Sequence, residues 1–150
     1  MKGTYVLYVI TGPPGAGKSS YIKAHAKPSD IVIDLDLMAL ALAGPGADHH
    51  NHSETLLKVV HRARFAAIRE AEQHIETTDV YVINTLPNAR TMAQYKRLKA
   101  RIVTVDPGRD IVMQRIEDMR QPAMKAVASK WYRANRGRSR SAMPQASREW

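Results

Sequence analysis

The chain has 150 residues and no cysteine, and its 23 lysines and arginines against 14 aspartates and glutamates give a formal net charge of +9. This length suits one domain with a substantial core and is too short for two. The lack of cysteine excludes disulfides and thiolate metal sites. Because no apolar run approaches the roughly 18 residues of a membrane span, we expect a cytoplasmic protein with neither signal peptide nor membrane partner. The positive charge favours nucleotides or nucleic acid as partners.

The first segments of the chain predict a phosphate-binding loop between a strand and a helix. A β-branched and aromatic run over residues 5–10 predicts a buried strand, and residues 20–26 predict a helix that ends before Pro28. Between them, the loop pattern G-x-x-x-x-G-K-[ST] is matched by Gly12-Pro13-Pro14-Gly15-Ala16-Gly17-Lys18-Ser19. The turn and the helix N-terminus direct backbone N–H groups at one point, which creates an anion site.

The loop predicts ATP and Mg²⁺ as cofactors. We expect Lys18 to reach the β- and γ-phosphates and the Ser19 hydroxyl to bind Mg²⁺. The predicted nucleotide-binding residues are Gly12, Pro13, Gly15, Ala16, Gly17, Lys18, Ser19 and Ser20.

Two carboxylates follow a second short strand, predicted over residues 30–34. Asp34 and Asp36 are candidates to orient or deprotonate a hydroxyl, and Asp34 is also a candidate Mg²⁺ ligand. The alternative is that Asp34 only caps the helix predicted over residues 35–43. The next segment, Asp48-His49-His50-Asn51-His52, resembles a metal cluster, but a solvated loop over the acceptor cleft is the better interpretation.

The remaining elements alternate between helix and strand. Apolar spacing predicts a long amphipathic helix from Glu54 to about Glu76, capped by Ser53. The other expected elements are strands at 79–83 and 101–105 and helices at 88–98, 110–119 and 122–134. This order predicts an α/β fold, a three-layer α/β/α sandwich with a short parallel sheet of the P-loop NTPase, nucleotide-kinase-like class. Ligands then bind beyond the carboxyl ends of the strands, where Asp34, Asp36, Asn84 and Asp106 fall.

The last helices supply the predicted cationic clamp and the end of the domain. Arg115 and Arg120 flank the break between these helices, where arginine side chains can stabilise a transferring phosphate, although a solvated helix face is the competing interpretation. Arg109 is a weaker candidate. Trp131 and Tyr132, in register with Met124, Val127 and Ala128, are expected in the core. We expect a P-loop kinase-like domain over residues 1–135 and an unstructured basic arm over 136–150, which is a candidate nucleic-acid contact.

A resemblance to a known family covers residues 4–133. It rests on these segments: Gly12–Ser20, Ile33-Asp34, residues 82–87, residues 103–106, Arg115, Arg120 and Trp131-Tyr132. The chain resembles the 5′-kinase module of phage polynucleotide kinase and small P-loop kinase-like proteins of actinobacterial phages. The resemblance implies that Asp34 is the general base for a 5′-hydroxyl and that Arg115 and Arg120 bind the donor phosphates. Leu37, Ala39 and Asn84 depart from the family pattern, where an acceptor-binding arginine and an acid are usual.

These observations predict an enzyme that moves the γ-phosphate of ATP to a hydroxyl of a nucleic-acid end or nucleoside, with catalytic residues Lys18, Asp34, Asp36, Arg115 and Arg120. One alternative is a kinase for nucleoside monophosphates or other small molecules. Another is a nucleotide-dependent DNA-binding or packaging accessory ATPase. The sequence does not specify the acceptor or the oligomeric state.

Overall fold

The computed structural model describes residues 5–49, 51–119 and 121–136. Its elements, in chain order, are β1 (Leu7–Thr11), α1 (Lys18–His25), β2 (Ile31–Ile33), α2 (Leu35–Leu42), α3 (Glu54–Ala71), β3 (Val80–Ile83), α4 (Ala89–Arg97), β4 (Arg101–Thr104), α5 (Arg109–Asp118) and α6 (Ala123–Ala134). The predicted arm lies outside these residues except for its first member, Arg136. Within the described ranges, no helix combines the length and apolar character that crossing a bilayer requires.

The four strands form one parallel sheet in the order β2-β3-β1-β4. β1 therefore lies at the centre, and the loop that follows it emerges between the ends of β3 and β4. The parallel pairing confirms the expected α/β architecture. Parallel strands must be joined by crossover connections, and helices lie between all consecutive strands of this chain.

Side chains alternate between two cores on opposite faces of the sheet. On β1, Leu7 and Val9 belong to the core that α3 and α4 cover through Ala71 and Tyr95. Ile10 faces the other core, which contains buried residues of α1, α5 and α6: Ile22, Val112, Ile116 and Ala128. Successive strand residues thus point to opposite faces of the sheet, and helices cover both faces. The result is a three-layer sandwich of helices, sheet and helices.

Two predictions about these elements are wrong. The long helix ends at Ala71 and continues only as a 3₁₀ turn over Glu72–His74, rather than reaching residue 76, because the chain must turn back toward β3. Val127 is 42% exposed, whereas Trp131, four residues later, is 4% exposed. The apolar stripe of α6 is therefore narrower than the sequence pattern suggested. The expected cap is confirmed, since the Ser53 hydroxyl accepts a hydrogen bond from the Leu56 amide.

Candidate functional site

The loop between β1 and α1 has the backbone shape of a phosphate cradle. Gly12, Gly15 and Gly17 all have positive φ angles, of 144°, 75° and 100°. At Gly12 a Cβ would stand 2.2 Å from the carbonyl oxygen of Val105, so only glycine fits against the end of β4. Gly17 is the N-cap of α1 and makes no side-chain cap. The first N–H groups of this helix are therefore left for an anion.

The Lys18 side chain folds back over this loop. Its Nζ donates to the carbonyl oxygens of Gly12 at 2.8 Å and Pro13 at 2.7 Å. An ammonium group has three donors, so a third N–H is available to a ligand oxygen. Burial lowers the Lys18 pKa to about 8, while the charges of Asp34 and Asp36 act in the opposite direction. The cation is thus pre-positioned and partly desolvated before any phosphate arrives.

Asp34 links the loop to the end of β2. This carboxylate is only 4% exposed. Its Oδ2 accepts a hydrogen bond from the Ser19 hydroxyl at 2.6 Å, and its Oδ1 accepts one from the Asp36 amide at 3.0 Å, which caps α2. The cap and the contact with the loop therefore coexist. A hydroxyl and a carboxylate oxygen are ligands that Mg²⁺ prefers, and Mg²⁺ commonly binds few protein groups together with substrate phosphates. Ser19 and Asp34 fit that ion.

Asp36 and His52 form a pair beside Asp34. The His52 Nε2 lies 3.0 Å from Asp36 Oδ1; the His52 side chain is 6% exposed and the Asp36 side chain 52%. The expectation of a solvated loop is therefore wrong for His52, because its ring packs inward just before α3. His50 lies outside the described residues. In the ranges that the structure describes, no group of three or more His, Cys, Asp or Glu side chains could hold a metal ion.

Arg115 contacts the phosphate loop from α5. Its Nη1 donates to the carbonyl oxygens of Gly15 and Ala16, each at 3.2 Å. The guanidinium therefore lies against the same loop as Lys18, as the clamp prediction requires. Arg120 lies outside the described residues. Arg109 instead lies over the ring of Tyr132, with its Cζ 5.8 Å from the ring centroid.

Two further polar residues at this edge have structural partners. The Asp106 carboxylate accepts hydrogen bonds from the Gly108 amide at 3.0 Å and from the Tyr132 hydroxyl at 2.7 Å. Burial and this carboxylate raise the pKa of Tyr132 well above its ordinary value. Asn84 donates to the Tyr95 hydroxyl at 3.0 Å. These hydrogen bonds therefore connect Asp106, after β4, to α6 and Asn84, after β3, to α4.

Sequence reasoning missed Arg64. This residue lies on α3, and its Nη2 donates to the carbonyl oxygen of Ile83, the last residue of β3, at 2.7 Å. The sequence contained a signal for it, because Arg64 lies four residues after the buried Val60 and seven before the buried Ala71. Those spacings place a charged side chain at the inward face of an amphipathic helix.

Comparisons with known proteins identify the family to which this chain belongs. No curated protein matches the chain. Among solved structures, it is similar to the tunicamycin resistance protein of Deinococcus radiodurans, with 18% sequence identity, a TM-score of 0.36, and coverage of 93% of this chain and 99% of that one. A family model described as "AAA domain" matches residues 7–140. This match spans the phosphate loop and all ten helices and strands described above, and the chain belongs to this family of P-loop domains.

Proposed function

We propose that the protein is a phosphotransferase that moves the γ-phosphate of Mg²⁺-bound ATP to a hydroxyl group. The hydrogen bond between Ser19 and Asp34, 2.6 Å long, carries this proposal. It joins Ser19, the loop residue suited to Mg²⁺, to a buried carboxylate that directly follows β2. Such an acid holds Mg²⁺ in hydrolysing and transferring P-loop proteins alike. The second carboxylate beside it, Asp36, favours transfer, because metal and acceptor groups must converge on one phosphate.

The side chains around the loop suit different steps of the transfer. Lys18 and Arg115 spread the negative charge of the transferring phosphoryl group. Ser19 and Asp34 hold Mg²⁺, which supplies charge neutralisation at the donor phosphates when bound. The more exposed Asp36, held by His52, accepts the proton of the acceptor hydroxyl as its oxygen bonds to the γ-phosphorus. The bond from that phosphorus to the β,γ-bridging oxygen breaks, and ADP leaves with the electron pair.

The outer face of α3 favours a nucleic-acid end as the acceptor. Phe65 is 61% exposed, and the Arg69 guanidinium lies 5.7 Å from its ring centroid. The side chains of Lys58, His61 and Arg62 lie on the same face of this helix. Cationic side chains around an exposed aromatic ring suit a single strand, because phosphates and bases are both contacted. A nucleoside or a small metabolite would make little use of such a face.

The direct test supplies radiolabelled ATP and Mg²⁺ with 5′-hydroxyl oligonucleotides, nucleosides and nucleoside monophosphates. We expect label in an oligonucleotide acceptor and its loss in K18M and D36N. The matched control is K23M, which removes an exposed lysine of α1 and should leave transfer unchanged. ATP binding without a labelled acceptor in any panel would refute the proposal.

The salt dependence of acceptor affinity distinguishes among the possible acceptors. For an oligonucleotide, affinity should fall steeply with salt and should weaken in F65A, because several phosphates and a stacked base are contacted. For a small acceptor, affinity should fall much less with salt and should not change in F65A. Removal of residues 137–150, which lie outside the described part, separates a third possibility. If that deletion alone abolishes DNA binding and no acceptor is phosphorylated, the chain is a nucleotide-dependent accessory protein instead.

A further inference from the structure

The guanidinium of Arg64 is a partly buried positive charge that has no role in the transfer proposed above. The Nη2 of Arg64 donates to the Ile83 carbonyl. Within the described ranges, no carboxylate oxygen lies within 4.0 Å of the nitrogens of this guanidinium. Arginine has five N–H donors, and the hydrogen bond to Ile83 uses one of them, on Nη2. Among the described residues no buried side-chain nitrogen lacks a hydrogen-bond partner, so the other nitrogens of Arg64 reach solvent, where an anionic ligand can accept from them.

The position of Arg64 separates it from the donor nucleotide. Lys18 and Arg115 approach the phosphate loop from α1 and α5, whereas Arg64 approaches the end of β3 from α3. β3 lies between β1, which leads into the loop, and β2, which leads into Asp34. Arg64 therefore occupies the side of the cleft where the acceptor must enter to meet the two aspartates.

The electrostatics of this position agree with the geometry. Desolvation lowers the pKa of Arg64, and the charge of Asp34 and the nearby Tyr95 hydroxyl only partly oppose that effect. A bound anion would restore the stabilisation that water no longer provides, because a charge-assisted fork with two oxygens is strongest in a water-poor site.

We propose that Arg64 binds an oxyanion carried by the acceptor, a phosphate or a carboxylate, and so makes the enzyme specific for acceptors that carry such a group near the reacting hydroxyl. This rests on the proposed function, and it narrows the substrate class to anionic alcohols.

The test compares matched acceptors in the same assay. The pairs are a nucleoside with its 3′- and 5′-monophosphates, and glycerol with glycerate, so that phosphate and carboxylate are distinguished. We expect wild type to prefer the anionic members. R64Q should lose about 10- to 100-fold in kcat/KM for them, the worth of charge-assisted hydrogen bonds, with little change for neutral members. R64K, which keeps the charge but loses the fork, should fall between. The control R97Q, in the last turn of α4, should behave as wild type.

A binding measurement keeps this inference separate from the proposed function. With the loop saturated by Mg²⁺ and ADP, calorimetric titration with a nucleoside monophosphate or inorganic phosphate should detect a second site in wild type and none in R64Q. Circular dichroism melts establish that R64Q is folded. Equal discrimination or equal binding in folded R64Q and wild type would overturn the role of Arg64. Absence of transfer to every acceptor, with this binding intact, would overturn the phosphotransferase but not the anion site.

Discussion

The lowered pKa of Lys18 predicts that nucleotide affinity falls as the solution becomes mildly alkaline. In the free protein this pKa is about 8, because burial disfavours the ammonium more than Asp34 and Asp36 favour it. Bound phosphates favour the charged form, so the complex holds more protons than the free protein above this pH. If only the charged form binds, the apparent Kd scales with the inverse of the charged fraction and rises about eight-fold between about pH 7.5 and pH 9.

The assay is calorimetric titration with a non-hydrolysable ATP analogue and Mg²⁺ at several pH values and one ionic strength. Proton uptake on binding is measured by repeating it in buffers of different ionisation enthalpy. K18M should bind more weakly with an affinity that no longer changes over this range, and K23M should keep the wild-type slope because that lysine is exposed. An affinity of wild type that does not change with pH, or an equally steep slope in K18M, would refute the reasoning.

Three further predictions concern the loop and its support. Gly12→Ala should lower the free energy of unfolding, measured in urea, by at least about 3 kcal/mol, because the φ of Gly12 is +144° and the new Cβ would lie 2.2 Å from a backbone oxygen. The control Gly44→Ala should change the free energy of unfolding little, because no atom lies within 4 Å of the added Cβ. Arg115→Lys should lower kcat/KM for ATP about 10- to 100-fold. Nη1 alone donates to both loop carbonyls and leaves Nη2 and Nε for a phosphate, whereas a lysine ammonium has no second nitrogen; wild-type kinetics would contradict this. Trp131→Phe should cost about 1–3 kcal/mol because it removes the indole donor and leaves the Thr85 carbonyl with only the longer hydrogen bond from the Gly12 amide, at 3.5 Å; an unchanged urea midpoint would exclude that role.

The parts of the molecule that depend on short stretches of chain were predictable. The glycine spacing specifies the backbone of the phosphate loop, and apolar spacing specifies which residues of each strand and helix face the cores. Asp34 was also expected at the sheet edge, because a residue that ends a parallel strand must lie there. Its bond to Ser19 was not predictable in detail, since it depends on the relative height of β2 and α1.

The residues missed by sequence reasoning depend on contacts between distant segments. His52 follows a polar run, so composition indicated a solvated loop, but α2 and α3 pack together and bring its ring to Asp36. Arg64 was passed over because an arginine on an amphipathic helix ordinarily faces solvent. Only the position of α3 over the ends of β2 and β3 turns that side chain toward the cleft.

The two halves of the site therefore differ in how they are encoded. The centre of the phosphate half is one contiguous segment whose backbone amides point toward the position of an anion, so it can be recognised in any sequence that contains it. The acceptor half that we propose consists of Asp36, His52 and Arg64, side chains on separate elements that come together only through packing. Substitutions at these positions need not disturb the loop, because none of these three side chains hydrogen bonds to it. If the proposed role of Arg64 is right, the R64Q and R64K variants will change the preference for acceptors and leave ATP binding at the loop unchanged.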